Sequence, residues 1–334
     1  MNDILDLILE KYNLSWTVKD SLSSLKLIEE VDSWEDSIAF NSCYSDLKSL
    51  EEITKVAYRN NKLLKAKARQ IKLEEHLLSS EQQKCYNQNV KINKLISSLW
   101  NRKIISGTGE IGYIRYNQFH TVTRRLTDSG QGVNILTLKK SERNIIPSNS
   151  FFLEIDYNAF EPRTALALSG KEQPDKDFYL YLIDLLKSTE NLMLTRDEAK
   201  RKMLTWMYDD KVDRNLENAL EKEKLLNLYY DGSKIKTPFG REIGADPHHA
   251  ISYLIQSTAN DIILELASDM NEFLMKSGAR TKVAYVIHDA VMFDIHEKEK
   301  NIVPSIIKYF ENTKFGKFKL NISVGQNTNN MRKI

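Results

Sequence analysis

Asp156 stands where an apolar run meets a helical pattern, a position that could give its carboxylate a chemical role. The run Phe151–Ile155 predicts a buried strand that stops at Asp156-Tyr157. A helix is predicted from about Asn158, and Glu161 three residues later completes the spacing of a capping box. A carboxylate between a core strand and a helix start can serve as a catalytic metal ligand. Alternatively, Asp156 only terminates the strand.

A second group of candidates lies on one face of a predicted helix, Leu194–Tyr208. Thr195 and Glu198 have the spacing of a capping box at its start. Two cations one turn apart suit a polyphosphate, and a tyrosine two turns further suits a base or sugar. The alternative is a solvated stripe of helical neighbours. Residues at every fourth position form this face: Arg196, Lys200, Leu204 and Tyr208.

A third candidate pair lies at the tip of a predicted hairpin. Thr281–Ile287 and Val291–Ile295 are rich in β-branched and aromatic residues, and only three residues join them. His288 and Asp289 occupy this join. The simplest explanation is that Asp289 forms the turn and His288 is structural.

Turn residues and helical periodicity predict the elements that must position these candidates. A hairpin with its turn at Gly107 and Gly109 comes first, followed by an extended segment, Thr121–Leu126. A long helix begins at Asp246-Pro247 and ends before Gly278. The remaining predicted elements are helices at Asp177–Leu186, Asn215–Tyr230 and Ile302–Tyr309, a hairpin at Lys234–Ile243 and a strand at Phe318–Val324.

Composition is that of a soluble globular protein. The chain has 334 residues, of which 41% are hydrophobic and 28% charged, and no apolar run approaches the length of a membrane span. The N-terminus lacks the pattern of a signal or transit peptide. The two cysteines, Cys43 and Cys85, cannot form a disulfide framework or a thiolate zinc site. We therefore expect an intracellular, reducing compartment and no membrane partner.

Basic residues are concentrated in two segments although the net charge is only +2. Lys55–Lys72 contains seven bases and no acid. Residues 101–150 contain eight bases and three acids, a balance of +5. Either segment could contact a polyanion such as nucleic acid, and either could equally be a solvated face.

Taken in this order, the three groups resemble the conserved motifs of family A (DNA polymerase I-like) DNA polymerases. DYNAFEPR is similar to motif A, the Arg196–Tyr208 face to motif B, and VIHDAVMFD to motif C. Two further stretches resemble conserved segments of the family: TVTRRLTDSGQGVNIL, and TPFGREI followed by HHAISYLIQSTANDII. The resemblance extends over roughly residues 95–330.

The resemblance implies an α+β fold of right-hand polymerase architecture, with an antiparallel-sheet palm, helical fingers and a small helical thumb. Residues 1–100 would form a helical N-terminal region and reduced thumb, and 101–170 the first part of the palm. Residues 171–246 would form the fingers, and 247–334 the second part of the palm. The implied activity is template-directed addition of deoxynucleotides to a primer 3′-hydroxyl by two-metal-ion nucleotidyl transfer.

The same resemblance implies a role for each candidate residue. Asp156, Asp289 and the carbonyl of Tyr157 would bind two Mg²⁺ ions, with Mn²⁺ as a substitute. Glu161 would exclude the ribose 2′-hydroxyl. Lys200 would also be catalytic, as a proton donor to pyrophosphate. The other implied nucleotide-binding residues are Arg196, Leu204, Tyr208 and Tyr157, and the implied DNA-binding residues are Arg125, Gln256, His288 and Arg163, the last as a support behind the site.

Two of the departures from the family pattern bear on the metal site and on sugar selection. Ala290 stands where the family usually has a second acid, and Leu204 stands where an aromatic residue is usual. Because Asp289 supplies the essential carboxylate, we expect activity to be retained. One alternative is a catalytically impaired, polymerase-like DNA-binding subunit. The other is a single-subunit RNA polymerase, and the resemblance argues against it because that class lacks the motif A pairing of Glu161 with Arg163.

The expected partners are primer-template DNA and deoxynucleoside triphosphates. The first hundred residues are too short for a 3′–5′ exonuclease domain, so we expect no proofreading. The small size suggests that the protein belongs to a phage or mobile element, or that it works beside a separate nuclease or processivity factor. We also expect a cytoplasmic location in a bacterial or phage-infected cell.

Overall fold

A computed structural model describes residues 80–100, 103–106, 111–128, 132–138, 143–209 and 214–334. The chain divides into two compact units, Met1–Gln83 and Lys84–Ile334. Almost all described residues belong to the second unit. The basic segment Lys55–Lys72 and the predicted turn residues Gly107 and Gly109 lie outside the described residues. The domain boundaries inferred from the sequence stay predictions.

Eight α-helices and one 3₁₀ helix, Glu297–Ile302, are found in the described residues. The α-helices, in chain order, are α1 (Ser80–Trp100), α2 (Phe160–Leu168), α3 (Phe178–Glu190), α4 (Arg196–Tyr208), α5 (Arg214–Leu220), α6 (Lys222–Tyr229), α7 (Pro247–Lys276) and α8 (Val303–Glu311). No helix in the described ranges is both long and apolar enough to cross a membrane.

The strands include three predicted hairpins. The strands that precede the central sheet in the chain are β1 (Lys103–Ser106), β2 (Ile111–Tyr113), β3 (Tyr116–Asn117), β4 (Thr127–Asp128) and β5 (Ile145–Ile146). The later strands are β6 (Phe151–Tyr157), β7 (Lys234–Lys236), β8 (Glu242–Gly244), β9 (Lys282–Ile287), β10 (Ala290–Ile295), β11 (Asn312–Thr313), β12 (Gly316–Lys317), β13 (Leu320–Gly325) and β14 (Arg332–Lys333). The hairpins β1–β2, β7–β8 and β9–β10 confirm those predictions.

A five-stranded antiparallel sheet in the order β14-β13-β6-β10-β9 is the centre of the fold. β6 is its middle strand, and it extends two residues beyond the apolar run to include Asp156 and Tyr157. Leu153 and Ile155 are fully buried, whereas Glu154 and Asp156 are partly exposed on the opposite face. This alternation places the Asp156 carboxylate on the less buried side of the sheet.

Two predicted helix starts are present with their caps. Thr195 and Glu198 form a reciprocal capping box at the start of α4. Asp246 accepts a hydrogen bond from the His249 amide at the start of α7, with Pro247 in the first turn. α7 packs against α2, α4, α6 and β9, and its residues Leu254 and Ile255 join the buried cluster that contains Trp206 of α4.

The predicted capping box at Asn158 and Glu161 is wrong. α2 begins at Phe160 after Ala159, which has left-handed backbone angles and caps nothing with its side chain. The Asn158 side chain instead donates to Asp177 at 2.9 Å and accepts from the Phe178 amide at 3.0 Å. Long-range partners therefore replace the local cap that the spacing suggested.

Two segments are less regular than predicted. Thr121–Leu126 is not extended, because the amide of Arg124 donates to the carbonyl of Thr121 and Arg124 adopts a positive φ of 58°. The single helix predicted over Asn215–Tyr230 is interrupted at Glu221, whose φ of 54° separates α5 from α6. In both places a left-handed residue other than glycine makes the turn, which sequence patterns signal poorly.

The edge strand β9 is closed on its outer side by Tyr116. The buried Tyr116 hydroxyl donates to the Val286 carbonyl at 2.6 Å and accepts from the Val286 amide at 3.0 Å. One side chain thus occupies both backbone groups of Val286 that a further strand would use.

Candidate active site

Asp156 lies on β6 of the central sheet, and Asp289 lies in the turn that leads into the neighbouring strand, β10. β6 and β10 are antiparallel, and Ala290, the residue after Asp289, pairs directly with Asp156. The Tyr157 amide donates to the Asp289 carbonyl at 3.3 Å. His288 has a φ of 48°, so the turn into β10 is tight. The structure therefore brings the two predicted carboxylates close enough to repel each other.

Arg125 faces Asp289 and Glu161 from the turn before β4. Its Nη2 donates to Glu161 Oε1 at 2.8 Å and lies 4.0 Å from Asp289 Oδ1. Glu161 is buried in the first turn of α2, whereas Arg125 is 41% exposed at its side chain. One partly exposed guanidinium thus offsets the charge of two acids.

The electrostatics of the pocket act on Asp289. Burial and the neighbouring carboxylates of Glu161 and Asp156 raise the pKa of Asp289 from 3.8 to about 6, against the opposing effect of Arg125. The shift means that the ionised carboxylate is disfavoured there. A bound cation would relieve this cost.

Glu161, Tyr208 and Gln256 form one hydrogen-bonded chain. The Tyr208 hydroxyl donates to Glu161 Oε2, and Gln256 Nε2 donates to the Tyr208 oxygen at 2.9 Å. Burial and the bond to Glu161 raise the pKa of Tyr208, so it stays a neutral donor. The last residue of α4 is therefore linked to both α2 and α7.

The remaining face of α4 is exposed as predicted, and one of its cations is paired. Arg196 donates to Asp177 through Nη2 at 2.9 Å and Nε at 3.3 Å, and its guanidinium lies 5.1 Å from the Tyr179 ring centre. Lys200 is exposed one turn later, and Leu204 is 38% exposed. Arg196 and Lys200 project from the same side of the helix.

Asp177 is a centre of several bonds at the start of α3. It caps α3 through the Tyr179 and Leu180 amides, at 3.0 and 3.2 Å. Burial would raise the pKa of Asp177, but hydrogen bonds from Arg196, Asn158 and Leu180 outweigh it and lower the pKa to about 2. The carboxylate is thus a persistent anion beside Arg196.

A buried ion pair holds the turn that carries Arg125. Arg241 donates to both oxygens of Asp261 at 3.0 Å, and both side chains are almost fully buried. Arg241 also donates to the Val122 carbonyl at 3.1 Å, and Asn260 donates to the Arg124 carbonyl at 2.6 Å. These bonds fix the backbone on both sides of the turn.

No protein-family model matches the sequence, and no curated protein matches it either. Among 132 matching solved chains is the POL domain of Pol1 from M. smegmatis in complex with DNA primer-template and dNTP. The two share 15% sequence identity with a TM-score of 0.50, over 87% of this chain and 56% of that one. The fold is polymerase-like. The predicted α+β class with an antiparallel sheet is confirmed, and the chain spans little more than half of its structural neighbour.

Within this polymerase-like fold, Arg163 lies behind the carboxylate cluster, whereas Tyr157 and His288 are chain neighbours of its two aspartates. Arg163 is fully buried and donates to the carbonyls of Asn158, Pro174 and Lys176, so it supports the site and has no surface for DNA. The Tyr157 side chain is also buried, and its hydroxyl donates to the Phe310 carbonyl at 2.7 Å. His288 is exposed, and burial of part of its ring together with Arg125 and Arg143 lowers its pKa.

Two residues of the site were not predicted from the sequence. The sequence predicts Asp177 only as the start of a helix. Its N-cap position could have indicated a carboxylate held in place by backbone amides. Asn321 donates to Asp156 Oδ2 at 3.0 Å from β13. Only the pairing of β13 with β6 brings it there, so no local pattern could have identified it.

The donor set fits a hard divalent cation bound together with a substrate. In the described ranges no three His, Cys, Asp or Glu residues converge as a self-contained metal site. Mg²⁺, however, usually takes one or two protein carboxylates and completes its shell with water and substrate phosphates. Asp156 and Asp289 meet that requirement, and the pKa of Asp289 is raised first by burial and then by the neighbouring carboxylates, so a bound cation would favour its ionised form.

Proposed function

We propose that this protein is a DNA-templated DNA polymerase of family A that extends a primer 3′-hydroxyl with deoxynucleotides. The observation that carries the proposal is the pair of carboxylates in a polymerase-like fold, Asp156 on β6 and Asp289 in the turn before the adjacent strand β10, with Arg125 beside Asp289. The relation to a POL domain supports the fold, and the side chains of the site support the chemistry.

Asp156, Asp289 and the Tyr157 carbonyl would hold Mg²⁺ or Mn²⁺. When bound, two such ions acidify an attacking hydroxyl and neutralise charge on the triphosphate and pyrophosphate. The chain's task at this position is to keep both carboxylates ionised and oriented. Asp289 is harder to keep ionised, because its pKa is raised to about 6.

The exposed face of α4 would bind the incoming nucleotide. Arg196 and Lys200 offer two cations one turn apart, which suits a polyphosphate, and Lys200 could pass a proton to the leaving pyrophosphate. Leu204 would lie against the sugar and base. Tyr208 would stack near the templating base at the end of the helix.

Glu161 would discriminate between sugars. Its carboxylate is held at one oxygen by Arg125 and at the other by Tyr208, so it cannot move aside easily. A ribose 2′-hydroxyl placed against this rigid group would clash. His288, Gln256 and Arg125 would contact the primer terminus or the minor groove, where contacts carry little sequence information.

Primer extension with Mg²⁺ tests the proposal. We expect wild-type protein to extend a primed template with deoxynucleotides, and Asp156→Ala and Asp289→Ala each to lose about 10³-fold or more in rate. Glu297→Ala is the matched control, because Glu297 is an exposed carboxylate that pairs with Lys300 in the 3₁₀ helix. Full extension by either aspartate variant would refute the assignment of the site.

One observation favours a second candidate, a DNA-binding subunit without catalytic activity. Ala290 pairs with Asp156 where a second acid could have stood, so the cluster has only the two aspartates and Glu161. Primer-template binding by wild-type protein without any Mg²⁺-dependent incorporation would support this candidate. Equal incorporation of ribonucleotides would instead support a single-subunit RNA polymerase.

A further inference from the structure

Asp156 has two directly opposite neighbours in the sheet. β10 places Ala290 on one side, and β13 places Asn321 on the other. Directly opposite residues in antiparallel strands present their side chains on the same face. Ala290 offers the Asp156 carboxylate only a methyl group, whereas Asn321 offers an amide.

The Asn321 amide is bonded at both of its ends. Nδ2 donates to Asp156 Oδ2 at 3.0 Å, and Oδ1 accepts from Lys333 Nζ at 3.1 Å. An ammonium group can only donate and an ionised carboxylate can only accept. Asp156 and Lys333 therefore select the same orientation of the amide, and the reversed amide would lose both bonds.

The backbone makes this arrangement possible. β14 pairs with β13 so that Lys333 lies opposite Ser323, two residues along the strand from Asn321. A lysine at this diagonal position is within reach of the amide. The edge strand β14 thus extends the polar row that begins at Asp156.

We propose that Asn321 and Lys333 are positioning residues that orient the Asp156 carboxylate for a divalent cation. The inference rests on the proposed function, because it takes Asp156 as a metal ligand. Partners that bond to metal-binding carboxylates restrict their rotation, and their loss commonly weakens metal binding about 10- to 100-fold. Neither residue would touch the substrate.

Mn²⁺ binding to the full-length protein without DNA is the primary measurement, made by electron paramagnetic resonance or titration calorimetry. We expect Asn321→Leu to raise the apparent dissociation constant about tenfold. Lys333→Met should raise it roughly threefold, because the amide is kept but loses one of the two hydrogen bonds that hold it. Lys333→Arg keeps a donor and should restore binding.

Arg332→Met is the matched control for charge. Arg332 lies next to Lys333 on β14, and alternate residues of a strand point to opposite faces. It should leave Mn²⁺ binding unchanged. In primer extension, Asn321→Leu should raise the Mg²⁺ concentration needed for half-maximal rate, with the rate at saturating Mg²⁺ within about twofold of wild type.

The results separate this proposal from the proposed function. Wild-type Mn²⁺ affinity in folded Asn321→Leu, or equal effects of Arg332→Met and Lys333→Met, would overturn the positioning role. If Asn321→Leu does not fold, the test rests on Lys333→Met, because Lys333 is exposed. Its Mn²⁺ affinity is then compared with that of Arg332→Met. Suppose that the variants bind Mn²⁺ more weakly but neither they nor the wild-type protein extends a primer. This result would refute the proposed polymerase activity and leave the positioning role intact. A wild-type protein that binds no Mn²⁺, either alone or with a deoxynucleoside triphosphate, would overturn both.

Discussion

Arg125 donates a 2.8 Å hydrogen bond to Glu161, a residue 36 positions later in the chain on a different element. The bond joins the turn before β4 to the first turn of α2. It also brings a positive charge to within 4.0 Å of Asp289. Since Glu161 would exclude ribose and Asp289 would bind metal, a single guanidinium links sugar selection to the metal site.

The first prediction concerns the pH dependence of cation binding. The pKa of Asp289 is raised to about 6 by burial and then by Glu161, so protonation should weaken Mn²⁺ binding as the pH falls through about 6. Glu161→Gln should move this midpoint to lower pH. A raised carboxyl pKa also means that the folded state holds the proton more tightly than the unfolded state. The stability from this group therefore decreases as the pH rises from about 4 to about 6.

Mn²⁺ titrations between about pH 5 and pH 8 would measure the midpoint in both proteins. Glu265→Gln serves as the control, because Glu265 is a partly exposed carboxylate paired with Lys314. An unchanged midpoint in Glu161→Gln would contradict the coupling between Glu161 and Asp289.

The second prediction concerns sugar selection. Tyr208→Phe removes the hydroxyl that holds Glu161 Oε2 but keeps the aromatic ring. We expect ribonucleotide incorporation relative to deoxynucleotide incorporation to rise about tenfold, the effect of one lost hydrogen bond. Competition between the two nucleotide types in primer extension measures this ratio. Tyr309→Phe, which loses a hydroxyl bonded to Asp269, should leave the ratio at the wild-type value.

The third prediction separates two roles of Asp177. Asparagine caps helices about as well as aspartate, so Asp177→Asn should retain stability while weakening the pair with Arg196. The freed guanidinium should lower the KM for deoxynucleotides roughly two- to fivefold. Asp177→Ala should also lose about 1 kcal/mol of unfolding free energy through the missing cap. A higher KM in Asp177→Asn would mean that Asp177 orients Arg196 for binding.

The fourth prediction concerns the buried pair Arg241 and Asp261. Arg241→Met would leave a buried carboxylate without its main partner and should lower the unfolding free energy by about 3–5 kcal/mol. The double variant Arg241→Met with Asp261→Leu should be less destabilised than the single variant, because no buried charge remains. Urea unfolding measures both. Additive effects would show that the two residues do not act as a pair.

Elements with local signals were predicted well from the sequence. α4 and α7 begin at the expected caps, because Thr195 with Glu198 and Asp246 with Pro247 satisfy backbone amides only a few residues away. The hairpin that carries Asp289 follows equally local rules of strand and turn composition. The proximity of Asp156 and Asp289 came from the family resemblance, which already contained the order of the strands.

Long-range bonds account for what the sequence did not reveal. Asn158 had a plausible local partner in Glu161, but its amide bonds to Asp177 and the Phe178 backbone, and Glu161 bonds to Arg125. The pairing of Arg196 with Asp177 depends likewise on how α3 and α4 pack. Equal spacing cannot distinguish a local cap from a tertiary partner, because both use the same polar side chains.

The Tyr116 hydroxyl has a consequence for how the protein behaves at high concentration. An edge strand with unpaired backbone groups is a template for strands of other molecules. Tyr116 occupies the amide and carbonyl of Val286 on the outer side of β9, so a foreign strand cannot add there without displacing it. The β9 edge of the largest sheet is thereby protected at Val286 from acting as a seed for aggregation.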